Sequence, residues 1–284
     1  MPKIAVITDT DSSLPAELAA QHGILQVPIS VHFEDQSYTC GVDIDDRKLF
    51  ELVDRSNRLP TTSAPSPAAF EEAFEGAFQQ GASGIACVCV SSKVSSTYAS
   101  ALSACEQFPG REIAVIDSLS VSMGEGFMAL AAAEAAQRGA GKDEVAAAAL
   151  DVRGRVHLFA VLSTLRYLAL SGRVGKFVAG MADTLNIKPI LTVTDGQLVL
   201  LERVRTHKKA VERLLELVKA SLGEKPPERL ALLHVTDFDR ASALRSQLRA
   251  EIACPEAVPI AEFTPGLSVH AGSGVVGVVV QSAR

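Results

Sequence analysis

The chain has 284 residues, 48% hydrophobic and 21% charged, which is apolar material enough for one large domain or two ordinary ones. A net charge of −6, with Lys and Arg dispersed along the chain, excludes a nucleic-acid backbone as partner. The five cysteines, Cys40, Cys87, Cys89, Cys105 and Cys254, contain no C-x-x-C pair and give a metal site little support.

The N-terminus enters a strand at 3–8 without the charged, apolar and cleavage regions of a signal peptide. The Ala-rich stretch 127–136 is short and interrupted by Glu134, so no run is long enough to span a bilayer. A soluble cytoplasmic protein is the expectation. After the first strand, Asp9 and Asp11 are possible Mg²⁺ ligands. The simpler reading has Ser12 or Ser13 capping the next helix while the aspartates order the loop.

Further strands are expected at 25–33, 85–91 and 112–116, and helices at 15–22, 45–55, 67–80, 97–108 and 120–138. This alternation predicts a three-layer α/β/α arrangement around a parallel sheet. A turn at 34–37 followed by a strand at 38–42 adds a small hairpin insertion over about 25–42. Cys87 and Cys89 share one face of their strand, which points to core packing.

The second half reads as α+β with a mixed sheet: strands at 157–162, 187–193, 197–204, 229–235, 258–263 and 275–281, and helices at 165–170, 206–222 and 239–252. Asp195-Gly196 between apolar runs is a strong hairpin signal. The boundary is expected near 151–155, dividing the chain into 1–153 and 154–284.

Three hydroxyls stand between prolines in Pro60-Thr61-Thr62-Ser63-Ala64-Pro65-Ser66-Pro67. Ser66 as N-cap and Pro67 at the first helical position account for the end of this segment and leave Thr61, Thr62 and Ser63 unexplained. Ser91 to Tyr98 ends a strand and opens a helix. Ser95 or Ser96 can cap that helix, and its N-terminus can also attract an anion. Ser120 or Ser122 can cap the next helix, where glycines permit close approach. A third polar segment is His270-Ala271-Gly272-Ser273-Gly274.

Other patterns mislead. Gly272 to Gly277 matches G-x-G-x-x-G, but the valines that follow read as a strand rather than the helix a dinucleotide site needs. P-loop, G-x-S-x-G and H-E-x-x-H patterns are absent. Gly172 ends a helix, and Arg173 after it is either a solvated charge or part of a partner surface. Arg203 and Arg205 alternate at the end of a strand, which places both on one face.

Seven motifs in order resemble the DegV family: T-D-T-D-S at 8–12, P-T-T-S-A-P-S at 60–66, S-S-K-V-S-S-T-Y-A-S-A at 91–101, D-S-L-S-V-S-M-G-E-G at 117–126, L-R-Y-L-A-L-S-G-R-V-G at 165–175, N-I-K-P-I-L-T-V-T-D-G-Q-L at 186–198 and V-R-T-H-K-K-A at 204–210. Ser96 stands where the family often has Gly, and Ala271 and Ser273 replace its frequent Thr and Pro. The resemblance implies a two-domain carrier of one long-chain fatty acid in a buried tunnel, with no cofactor or catalytic chemistry of its own. It implies that Thr62, Ser95 and His270 hold the carboxylate, with Thr61 in reserve. It implies a separate ATP-binding kinase subunit, related to dihydroxyacetone kinases, that phosphorylates the carboxyl group for phospholipid synthesis, and a role for Arg205 in that transfer or in contacting the kinase. The competing expectations are a stand-alone lipid sensor and an independent enzyme with a hydroxyl nucleophile.

Overall fold

The computed structural model describes residues 3–56, 58–173 and 187–284. The motif residues Val174, Gly175 and Asn186 lie outside them. Strand β1 (Ile4–Asp9) is central in a four-stranded parallel sheet with β2 (Ile24–Val27), β6 (Gly84–Cys89) and β7 (Glu112–Asp117), in the order β2-β1-β6-β7. β6 is buried at every position, as a parallel strand covered on both faces must be. Helices α3 (Pro67–Gln79) and α4 (Thr97–Cys105) cover one face through Phe70, Phe74, Ala101 and Ala104. Cys87 and Cys89 lie in this core as expected, with no solvent exposure and their Sγ atoms 3.7 Å apart.

Helix α5 (Met123–Gln137) covers the other face of the parallel sheet and is buried almost throughout. A helix apolar on every side needs partners on every side. It finds them in β1 and β6 above, in the helix α6 (Lys142–Arg153) alongside, and in a second sheet below. α6 is absent from the sequence expectations. That second sheet has six strands in the order β10-β9-β8-β13-β11-β12: Gln197–Val204, Lys188–Thr194, Val156–Val161, Val276–Ser282, Pro227–His234 and Ile260–Glu262. β13 shows the logic of the layers through its period-2 alternation. Val276, Val278 and Val280 pack with α8 (His207–Leu222) and α9 (Phe238–Glu251), while Val279 joins the core around α5. The stack is therefore helix, parallel sheet, helix, mixed sheet, helix. The expected α/β class with a parallel sheet in the first half and a mixed sheet in the second is what the chain forms.

The expected single strand at 25–33 is two strands. Pro28 lacks an amide and restricts its predecessor, so β2 ends at Val27. Ile29 N then donates to Thr10 Oγ1 at 3.0 Å, and the chain starts again as β3 (Ser30–Phe33) in a different sheet. β3 pairs with β4 (Gln36–Thr39) through a tight turn in which Glu34 is left-handed, with φ of 52°. The third strand of this small antiparallel sheet is β5 (Thr61–Ser63), a segment not among the expected strands. The hairpin signal at Asp195-Gly196 holds: φ values of 50° and 79° close a two-residue turn between β9 and β10. Gly272-Ser273-Gly274 leads into β13 rather than a helix. Between α6 and β8, Arg155 donates to Ser282 O at 2.7 Å and pairs with Glu228 at 2.5 Å and with Asp151.

Candidate functional site

All three parallel strands that border the centre of the fold end on the same cavity, where ligands of open α/β sheets bind. β1 runs into the short 3-10 turn Thr10–Ser12, β6 into the hydroxyl loop at 91–96, and β7 into the loop at 118–122. Asp11, Ser95 and Val121 from these loops line a cavity of about 830 Å³, within the range of roughly 300–1,000 Å³ usual for small-molecule sites. Its floor is the inner face of the mixed sheet, contributed by Leu158, Ala160, Leu191 and Leu198. Its remaining wall is β5 and the helix α10 (Pro265–Ala271), which carries Leu267 and His270 into the cavity.

Strand geometry decides which hydroxyl of 61–63 enters. Side chains alternate across β5, so half-buried Thr62 faces α10 while Thr61 is exposed and absent from the lining. Thr62 Oγ1 lies 3.1 Å from His270 Nε2. Ser63 also borders the cavity, with its Oγ 2.8 Å from Nε2 of His32. The neighbouring Ser66 caps α3 as expected, accepting from Ala69 N at 3.2 Å.

The loop at 91–96 is built by Ser91. Its carbonyl accepts from Val94 N and Ser95 N, both at 3.1 Å, and its hydroxyl donates to Gly196 O at 2.7 Å. That last bond ties the β9–β10 turn of one sheet to the loop of the other. Ser95 Oγ lies 2.8 Å from Thr97 Oγ1 and accepts weakly from Thr97 N, so it faces the cavity while helping to start α4. Ser96, at the N-cap of α4, makes no side-chain bond there. Neither does Ser122 at the start of α5. The first loop also departs from expectation. Asp9, not Ser12 or Ser13, caps its turn, and Pro15 precedes α1 (Ala16–His22) without a side-chain cap. Among the described residues no group of three or more His, Cys, Asp or Glu is arranged to hold a metal ion.

Electrostatics at the cavity differ from wall to wall. Burial, and after it the charge of Arg173, pushes the His270 imidazole down to about 4, so the ring is neutral at physiological pH. Its Nδ1 is buried without a hydrogen-bond partner among the described residues. Lys93 and Arg173 both line the cavity from exposed positions. Arg205 is exposed beyond the end of β10 and is not part of the lining. Three lining features escaped the sequence reading: the cation at Lys93, the carboxyl at Asp11 and the floor from the second sheet. α10 itself carried no helical signal, because seven residues beginning Pro-Gly are too few to show a period.

The arrangement is a mostly apolar chamber with hydroxyls and a neutral imidazole on one wall, suited to a long apolar molecule with a small anionic head. No helix among the described residues is long and apolar enough to cross a membrane. Compared with known proteins, the chain is 34% identical over 279 residues to a DegV domain-containing protein of Streptomyces coelicolor, covering 98% of each. It is 36% identical over 280 residues to one of Mycobacterium tuberculosis, covering 98% of this chain and 96% of that one. Among solved structures, a DegV family protein from Thermus thermophilus, described for its fatty acid binding, matches with a TM-score of 0.92 at 31% identity over 99% of this chain and all of that one. DegV of Bacillus subtilis, described as a fatty acid binding protein, matches with a TM-score of 0.88 at 27% identity over the full length of both. The family model described as "Uncharacterised protein, DegV family" spans residues 3–283, and with these relatives it establishes that the chain belongs to the DegV family.

Proposed function

We propose that this chain binds one long-chain fatty acid in the cavity and presents its carboxylate to a separate ATP-dependent kinase subunit for acyl-phosphate formation. The observation that carries the binding step is the Thr62–His270 pair, 3.1 Å apart, on the wall of a chamber otherwise floored by aliphatic side chains. In the neutral tautomer that carries its proton on Nε2, His270 donates to Thr62 Oγ1, which leaves the threonine O–H free to point at an anion. Ser95 supplies a second hydroxyl from the opposite loop. Thr61, on the outer side of β5, has no contact in this reading.

The tail supplies affinity and the head supplies position. About fourteen methylenes gain roughly 11 kcal/mol at ~0.8 kcal/mol each, before ordering costs. Neutral hydroxyls then fix the carboxylate without a buried cation to compete for it. In the transfer step, an oxygen of that carboxylate attacks the γ-phosphorus of ATP held by the kinase subunit, and ADP leaves. Arg205 supports this half of the reading by its place: it is exposed, outside the cavity, and followed by the exposed Lys208 and Lys209 in the first turn of α8. A cationic edge suits phosphoryl transfer or the kinase contact. Such work belongs in the cytoplasm and needs no resident cofactor in this chain.

Native mass spectrometry of the purified protein tests the binding step. It should show the mass of one acyl chain, and a protein that carries none and takes up neither oleate nor palmitate overturns the reading. Thr62→Val combined with Ser95→Ala should weaken palmitate binding by ~1.5–3 kcal/mol for each bond lost to the ionised head, and an unchanged affinity moves the site elsewhere. Arg205→Ala should retain bound lipid while acyl-phosphate formation with a cognate kinase subunit collapses. Full activity in that variant reduces Arg205 to a surface charge worth ~0–1 kcal/mol. A protein that binds lipid yet supports no ATP turnover with any added kinase is a sensor instead.

A further inference from the structure

Asp11 is a carboxyl group on the wall of an otherwise aliphatic part of the cavity. It is 6% exposed and lines the chamber beside Ile29 and Leu267. Its neighbour Asp9 and one oxygen of Glu125 are committed elsewhere. Asp9 accepts from the amides of Val90 and Asp11, both at 2.9 Å, and Glu125 accepts from the Thr8 hydroxyl at 2.7 Å. Among the described residues the side chain of Asp11 has one hydrogen-bond contact, a long one with Thr264 Oγ1 at 3.4 Å. Gly266 keeps the wall open here, since a Cβ at that position would lie 2.4 Å from Asp11 Oδ1. Gly266 precedes His270 by four residues on α10, a rise of about 6 Å at ~1.5 Å per residue, so Asp11 stands roughly one helical turn from the proposed head-group contact.

We propose that Asp11 makes the chamber selective for an acyl chain that carries a hydroxyl or comparable hydrogen-bonding group on its first carbons after the head. An unsubstituted alkyl chain passing Asp11 removes water from a polar group and returns no hydrogen bond, whereas a hydroxyl at that height gives one and accepts or donates as needed. Burial, and after it the charge of Asp9, holds the Asp11 carboxyl well above the ordinary carboxylate range, which favours the protonated form that donates as well as accepts and lessens repulsion of the ligand's own carboxylate.

The inference rests on the cavity being the acyl site, and calorimetric titration with palmitate and a series of monohydroxylated palmitates separates the two ideas. In the wild-type protein one isomer, with its hydroxyl near the carboxyl end, should bind at least as tightly as palmitate, while hydroxyls further along bind more weakly. In Asp11→Ala the preference for that isomer over palmitate should shrink by about tenfold, and Asp11→Asn, which keeps donor and acceptor, should retain it. If every hydroxylated isomer is disfavoured equally at all positions in the wild type, or the preference survives in Asp11→Ala, the inference is wrong and Asp11 only shapes its turn. The wild-type series decides the matter even if a variant fails to fold. If neither palmitate nor any isomer binds the wild type, the fatty-acid reading itself fails.

Discussion

Asp46, the first residue of the helix α2 (Asp46–Ser56), is 2% exposed and lies directly behind the site. Its Oδ2 accepts from Ser268 Oγ at 2.8 Å, and so anchors α10. Burial pushes its carboxyl up to about 8. Because the folded state holds this proton more tightly than the unfolded chain does, its contribution is fully present below the usual carboxylate value of 3.8 and is lost as pH rises to about 8. Asp46→Asn keeps the hydrogen bond and removes the titration. The variant should therefore gain on the wild type by about 1.4 kcal/mol per pH unit across that window, read as a growing difference in denaturant midpoint. A difference that is flat with pH means that Asp46 is ionised in the fold. The hydroxyl-rich segment at 60–67 was visible in the sequence, but the choice between Thr61 and Thr62 was not. That choice depends on β5 pairing with β3, which sets which side chain faces inward.

At the scale of elements, the turn at Asp195-Gly196 serves two purposes. It reverses the chain between β9 and β10, and its Gly196 carbonyl receives the Ser91 hydroxyl at 2.7 Å. A Cβ on Gly196 would meet Ser91 Oγ at 2.5 Å with φ already at +79°. Gly196→Ala should cost about 2 kcal/mol or more through overpacking and backbone strain, and should displace the loop that carries Ser95. Gly154→Ala is the contrast. Nothing lies within 4 Å of its added Cβ and its φ is −77°, so it should be neutral or stabilise by up to ~1 kcal/mol. Thermal melts of both variants check the pair, and an equal loss in each would show that the approach to Ser91 does not matter. The β9–β10 hairpin was legible because Asp-Gly has a local backbone preference. The split at Pro28, by contrast, needed knowledge of which sheet each half joins.

At the scale of the whole molecule, α5 is the shared layer. Residues from β1, β6, β8, β13 and β11 meet around it in one hydrophobic core, and Arg229 on β11 pairs with Glu134 on α5 at 2.6 Å. A core common to both sheets predicts that they open together. Amides of β1 and β6 should exchange with the same opening free energy as those of β13 and β11, and share one denaturant dependence. Exchange of the mixed sheet at lower denaturant than the parallel sheet would instead show two independent units, divided near the expected boundary at 151–155. By itself the sequence determined most strands, most helices, the β9–β10 turn, the Ser66 cap and the run of family motifs, since each expresses backbone preferences acting over a few residues. Only the tertiary structure decided that Thr62 rather than Thr61 meets His270, that Asp11 stands on the cavity wall and that the mixed sheet forms its floor. Thr62 and His270 are 208 positions apart, and no short-range preference sets how two sheets stack about a common helix.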